Sequence, residues 1–296
     1  MSSILEYIEN NPQETQRLVG LKYEQLQQLI IVAEALHVQK QAKKESDKTR
    51  IIAKGGGRKP KLSVKEQIIL TLVYLRQMTT FQLLGIQFDV SESTANDTFN
   101  YWFPLMRELL PASILEQIKK NSELEIVLEL LTDFELIVDS SEQPRERPRD
   151  YEEQKKFFSG KKKNHTLKNQ FIVLPNGEDI VDCTAGAPGP KSDINLFRER
   201  QKAFNENQKF NGDKGYIGEA SIKTPHKKPK NQELTASQKQ ENKEFSTKRI
   251  VVEHIIRLVK IFRVASERFR LNPQKYEQVF LTICGLVRLR IGALIL

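Results

Sequence analysis

Phe134-Glu135-Leu136-Ile137-Val138-Asp139-Ser140-Ser141-Glu142 is where the chain changes period. The sequence before it reads in helical steps, whereas here five β-prone residues run together and end on a carboxylate followed by turn-forming residues. A carboxylate at the tip of a buried strand stands where sites form in α/β sheets, although aspartate there also serves as a plain turn residue or helix cap. Downstream the β pattern continues. Residues 166–174 and 179–184 read as strands around Pro175-Asn176-Gly177-Glu178, with glycine where a turn wants positive φ. Gly186-Ala187-Pro188-Gly189-Pro190 is expected to break the sheet, and Asp193 to open a helix through about residue 204. A second short strand, from Lys209, ends on Asp213 between Gly212 and Gly215, which let other groups approach the backbone. The implied order is strand, strand, strand, helix, strand, helix.

The last helix contains Arg249-Ile250-Val251-Val252-Glu253-His254-Ile255-Ile256-Arg257-Leu258-Val259-Lys260. At about 100° per residue, Arg249, Glu253, Arg257 and Lys260 share one line and the rest of the circumference is nearly all apolar. This pattern predicts a buried helix whose one carboxylate is either a rung in a salt-bridge ladder or a group facing a site. His254 lies off that line and reads as a packing residue. The polar, basic residues 223–242 read as a loop over the site, and residues 262–296 as further helix with Arg263, Arg268 and Arg270 exposed and Leu281, Ile283, Leu286, Val287 and Leu289 packing inward.

Upstream, a short helix ends near Gly20 and a longer one starts near Lys22, with Leu26, Leu29, Ile30, Val32, Ala33 and Leu36 on its apolar face. A basic run closes in Gly55-Gly56-Gly57-Arg58-Lys59-Pro60, either a solvated linker or a flexible joint whose cations, Arg58 and Lys59 among them, lie along a phosphate backbone. Ser63 caps a helix to about Gln77, Thr79 or Thr80 starts a short one to Gly85, and Ser91 caps a third towards Trp102. The last two have the form of a helix-turn-helix whose second helix would offer Glu92, Ser93, Asn96 and Asp97 to base edges; a plain structural bundle is the alternative. Residues 104–133 read as helical, with Pro104 near the start. Residues 145–168 are dense in charge, with Lys161, Lys162 and Lys163 following Tyr151, Phe157 and Phe158, a mixture suited to nucleic-acid backbone contact at the leading edge of a hairpin.

Composition agrees with this division. Of 296 residues, 39% are hydrophobic, enough for one large and one smaller domain, and Lys plus Arg (47) exceed Asp plus Glu (38) by nine, which favours a polyanionic partner. No signal peptide is read at the start and no run is long enough to span a bilayer, so a cytoplasmic protein is expected. Cys183 and Cys284 match no zinc spacing and read as reduced core residues, and the four histidines form no ligand cluster.

Asp139, Asp213 and Glu253 together are hard oxygen donors, suited to Mg²⁺ or Mn²⁺ and unsuited to zinc. Two such ions would serve phosphoryl transfer. These residues carry a resemblance. Ile137-Val138-Asp139-Ser140-Ser141-Glu142, Ser159-Gly160-Lys161-Lys162-Lys163-Asn164-His165-Thr166-Leu167-Lys168, Gly212-Asp213-Lys214-Gly215-Tyr216 and residues 249–260 resemble the bacterial insertion-sequence transposases of the DDE type. The resemblance covers roughly residues 55–290. It implies an α/β, RNase H-like mixed sheet flanked by helices (residues 104–296), preceded by an all-helical DNA-binding region (1–103) with the helix-turn-helix at about 63–103. Asp139, Asp213 and Glu253 would then be the catalytic triad holding two Mg²⁺ or Mn²⁺ ions. The family's Tyr-x₂-Arg-x₃-Glu-x₆-Lys pattern puts Arg249 and Lys260 on DNA phosphates, with Ser246 in place of the tyrosine. Ser140 stands where the family has glycine.

The implied function is a transposase that binds terminal inverted repeats, cleaves DNA and transfers the strands to target DNA, as a homo-oligomer, near the bacterial nucleoid and away from membranes. The rivals are a nuclease on the same fold that does not join strands, a degenerate transposase that only binds DNA, and a structural bundle with incidental acids.

Overall fold

Three hydroxyl caps set the first helices. Ser63 accepts from the Glu66 amide while the Glu66 carboxylate returns to the Ser63 amide, and Thr80 and Ser91 accept from the amides of Leu83 and Thr94. The computed structural model describes residues 4–47, 60–118, 123–230 and 232–296, so Arg58 and Lys59 lie outside the described residues. The chain divides into two compact units, one of residues 1–110 with 262–264 and 294–296, the other of residues 111–261 and 265–293.

The first unit holds α1 (Ile4–Asn10), α2 (Thr15–Val19), α3 (Tyr23–Ser46), α4 (Val64–Gln77), α5 (Phe81–Gln87) and α6 (Glu92–Leu109). Its centre is α4, on which every residue from Ile68 to Leu75 is buried. The turn between α5 and α6 is closed by the Val90 amide on the Gly85 carbonyl at 2.8 Å, and a Cβ at Gly85 would come within 2.7 Å of the Val90 oxygen. Glycine is therefore required there. Trp102, fully buried, donates its indole N–H to Gln67 Oε1 at 2.8 Å, so the heaviest side chain of α6 is also pinned by polarity. Contrary to expectation, no new helix starts at Pro104. The proline costs α6 one backbone bond, and burial of Phe103, Leu105 and Met106 carries the helix on to Leu109.

The second unit runs α7 (Ile114–Ile118), α8 (Leu124–Leu131), β1 (Glu135–Pro144), α9 (Tyr151–Phe157), β2 (Phe158–Ser159), β3 (Asn164–Val173), β4 (Ile180–Pro188), α10 (Asp193–Gln201), β5 (Lys209–Asn211), β6 (Ile222–Lys223), α11 (Ala236–Lys260) and α12 (Tyr276–Ile291). The sheet order is β4-β3-β1-β5-β6, with β2 pairing the start of β3. β1, β3 and β4 are antiparallel neighbours, while β1, β5 and β6 are parallel. A first strand at the centre, antiparallel on one side and parallel on the other, gives an α/β sheet of the RNase H-like order. One core gathers Leu136, Val138, Ile172, Val181, Phe197, Phe210 and Tyr216, and α11 packs on β1 while α12 packs on β4.

Several elements exceed the sequence reading. β1 continues to Pro144 because β3 pairs with it along that whole length, from Ile137 to Pro144. β4 passes through Gly186 at φ +82° instead of breaking. The charged segment after β1 folds into α9, capped by Asp150, before the short β2. α11 begins at Ala236, capped by Thr235, well before the predicted stretch. Arg288, which in sequence merely interrupts an apolar tail, is 1% exposed and clamps Asp179 through Nε at 2.6 Å and Nη2 at 2.8 Å. Among the described residues no helix is long and apolar enough to cross a membrane.

Candidate active site

Parallel pairing of β1 with β5 sets Glu135 opposite Lys209, Leu136 opposite Phe210 and Ile137 opposite Asn211, and stops there. Asp139 and Asp213 each stand two residues beyond the last pair, and since side chains alternate with period 2 they emerge on the same face. Asp139 is thus midway along β1 and not at a strand tip as expected; what ends at this point is the pairing with β5. Asp213 turns its chain by accepting the Gly215 amide on Oδ1 at 2.7 Å, and its charge is felt at Asp139. Burial pushes the Asp139 carboxyl above the usual carboxylate range, against the opposing pull of Arg249.

Arg249 donates from Nη2 to Asp139 Oδ2 at 2.9 Å, while Asp139 Oδ1 accepts its neighbour Ser140's amide at 2.8 Å. The Ser140 hydroxyl lies 3.0 Å from the Tyr216 hydroxyl, and Gln170 donates to the same phenol at 3.1 Å. The serine that replaces the family's glycine thereby ties the end of the β1–β5 pairing to the turn behind Asp213. That role could not be read from sequence, because Tyr216 reaches Ser140 only once the register is set.

Asp139, Ser140, Glu142 and Glu253 line one cleft of about 450 Å³, with Lys161, Lys162, Lys168, Asp193, Arg257 and Lys260 around it. Glu253 is exposed and has no hydrogen bond or ion pair among the described residues. The helix that carries it is not apolar on all sides. Val252, Ile255, Ile256, Leu258 and Val259 are buried, but Ile250 is 60% exposed, so the helix is half-sunk, with Glu253, Arg257 and Lys260 on the cleft. His254 is exposed and accepts from Arg257 Nη2 at 3.0 Å; it does not pack. The described residues of 223–242 do not line this cleft either. His226 pairs with Glu241 at 2.7 Å and its amide donates to Asn242, so the loop is held against α11, beside a separate cavity.

Local pairing sorts the cations of the 145–168 segment. Lys155 and Lys156 pair with Glu152 and Glu153, and Arg145 lies 4.0 Å above the Phe157 ring. Lys161, Lys162 and Lys163 stay exposed in the turn before β3, and the first two reach the cleft. In the first unit, Ser93 is exposed at the start of α6 with its hydroxyl 2.9 Å from that of Ser91, and Asn96 accepts from Asn100 at 2.7 Å; Glu92 and Asp97 are exposed beside them. Lys168 and Asp193 are cleft residues that the sequence does not mark: in sequence Lys168 is only the last residue of a charged motif and Asp193 a helix opener.

Among the described residues no three carboxylate, histidine or cysteine side chains close on a single point as a metal cluster. Residues 138–288 match the DDE superfamily endonucleases, and residues 60–112 match the helix-turn-helix of DDE superfamily endonuclease. The chain belongs to the DDE superfamily endonucleases. It is 34% identical over 228 residues, 74% of its own length and 78% of the relative's, to the probable transposase for insertion sequence element IS702 of Microchaete diplosiphon. Two solved structures, a Mos1 transposase paired-end complex with left transposon end and a pre-cleavage Mos1 transpososome, share 12% and 13% identity over 77% of this chain and 86% of theirs. Their TM-scores are 0.21 and 0.18.

Proposed function

We propose that the protein is a DNA transposase: the helical unit binds transposon ends, and the cleft of the second unit cuts DNA strands and joins them to a target. The observation that carries the reading is the register that sets Asp139 beside Asp213, with Glu253 on the cleft that Asp139 lines. The donor set fits Mg²⁺ or Mn²⁺, being all carboxylate oxygen with no soft ligand nearby. Asp139, Asp213 and Glu253 would hold two ions, which when bound activate the attacking water or 3′-hydroxyl and stabilise the leaving oxygen.

The chain's own residues do the rest. Arg249 shares the charge of Asp139 until it turns to a phosphate, and Lys260, Arg257, Lys161 and Lys162 offer cations along the cleft to the strand that enters it. Lys163 in the second unit, and separately Ser93 and Asn96 of the helical unit and the basic residues Arg58 and Lys59, would add further contacts to DNA.

The test is cleavage of duplex carrying the inverted repeats that flank this coding sequence, with Mg²⁺. Wild type is expected to cut and to give joined products, and Asp139→Asn, Asp213→Asn and Glu253→Gln each to lose at least about 100-fold in rate. Cleavage without joined products makes the protein a nuclease. Binding without cleavage by any form makes it a DNA-binding relative, and a wild-type rate from Asp213→Asn overturns the assignment of the acids.

A further inference from the structure

The cleft's cations are not alike. Lys161, Lys162, Arg257 and Lys260 are exposed, whereas the Lys168 side chain is only 8% exposed on strand β3. A buried ammonium is costly unless its donors are used, and two contacts hold this one. Its Nζ donates to the Lys191 carbonyl and lies 2.9 Å from Asp193 Oδ1, at the first residue of α10. An ammonium has three N–H groups: the carbonyl accepts one, Asp193 Oδ1 stands close as an ion pair without a hydrogen bond, and among the described residues at least one N–H has no acceptor.

The backbone of Asp193 is tied down in turn. Its carbonyl accepts from Gln170, the same amide that holds Tyr216, and its Oδ2 stands 3.0 Å from the point where a Gly215 Cβ would sit, a point 2.9 Å from Asp213 Oδ1. One polar chain therefore runs from the lysine through the start of α10 to the turn behind the second aspartate.

We propose that Lys168 is a further catalytic residue, donating its remaining N–H to a non-bridging oxygen of the scissile phosphate, with Asp193 as the positioning residue that holds the ammonium in place. This rests on the reading of the cleft as a phosphoryl-transfer site. A donor fixed in advance where charge accumulates stabilises the transition state without reorganising, which a mobile surface lysine does not. The bland role is a tie between β3 and α10. The two roles separate in experiment because a tie affects folding, while a phosphate donor affects the rate of DNA already bound.

The experiment uses the full chain and the flanking-repeat duplex. Single-turnover cleavage in Mg²⁺ is measured at saturating protein for wild type, Lys168→Met, Asp193→Asn and Asp139→Asn, with thermal unfolding of each. DNA affinity is measured in Ca²⁺, for a normal duplex and for one with a methylphosphonate at the scissile position. Lys168→Met is expected to cut bound DNA about 100-fold more slowly, Asp193→Asn about tenfold more slowly, and Lys168→Met to discriminate less than wild type against the methylphosphonate. Should Lys168→Met fail to fold, the isosteric Asp193→Asn decides. Cleavage of bound DNA within about threefold of wild type by whichever variant decides, with or without a fall in unfolding temperature, overturns the proposal. If Asp139→Asn itself cuts at the wild-type rate, it is the reading of the cleft that has failed.

Discussion

Replacing Arg288 by methionine tests the packing of the second unit independently of any function. The guanidinium makes four contacts from inside α12: two to Asp179, at 2.6 and 2.8 Å, one to the Pro111 carbonyl at 3.0 Å and one to Gln117 Oε1 at 2.9 Å. Asp179 is itself 8% exposed, so methionine would fill the volume but leave a carboxylate facing an apolar side chain. Removing one partner of a buried pair costs about 3–5 kcal/mol, whereas removing both in favour of apolar groups is often near neutral. At roughly 2–4 °C per kcal/mol for a domain of this size, the midpoint should fall by about 6–20 °C. The assay is urea and thermal unfolding followed by far-ultraviolet circular dichroism, without DNA or metal. Arg288→Met with Asp179→Leu should recover most of the loss. A single variant within about 1 kcal/mol of wild type, or a double variant no better than the single, would refute the argument that the uncompensated carboxylate sets the cost.

Other outcomes follow from the site. Gly215→Ala puts a methyl 2.9 Å from Asp213 Oδ1 and 3.0 Å from Asp193 Oδ2; because both are movable side-chain ends, unfolding should change by under about 1 kcal/mol while cleavage of bound DNA falls at least about tenfold. Arg249→Gln takes away the cation that shares Asp139, so Ca²⁺ titration of the DNA-free protein should show binding tighter by about fivefold, equivalent to about 1 kcal/mol, and DNA affinity should drop; weaker Ca²⁺ binding would count against the competition. Ser140→Gly leaves the Tyr216 hydroxyl to Gln170 and should cost about 1 kcal/mol by chemical denaturation, with cleavage retained. Trp102→Phe strands Gln67 Oε1 and opens a gap, so the helical unit should lose at least about 1 kcal/mol, read from its own thermal transition.

What the sequence revealed and what it hid divide along physical lines. Capped helices were legible because Ser63, Thr80 and Ser91 signal locally, within three residues of the amides they satisfy. The α/β order was legible from the change of period at Phe134. Strand lengths were not, since β1 beyond Asp139 is polar and owes its form to pairing with β3, a partner distant in the chain. The long start of α11 was hidden because residues 236–248 are polar almost throughout and carry little periodic signal; only the capping box at Thr235 and Gln238 marks it. Asp139 and Glu253, which line the cleft, and Asp213 beside it were read from strand order and stripe. Lys168 and Asp193 were not, because a lysine on a strand and an aspartate opening a helix are each unremarkable until a fold brings them within 2.9 Å. The Sγ atoms of Cys183 and Cys284, read as separate core residues, lie 3.6 Å apart for the same reason.

The short parallel pairing of β1 with β5 separates chemistry from chain length. The register that sets Glu135 opposite Lys209 and Ile137 opposite Asn211, and not the length of chain in between, decides that Asp139 meets Asp213. The connection between α10 and β5 could lengthen or shorten on the surface without moving either carboxylate, so insertions at residues 202–207 should be tolerated. A single residue added between Asn211 and Asp213 should turn that aspartate to the opposite face of the sheet. Divergence in this chain is therefore free in the loops and confined, over three paired residues, to changes that keep the count.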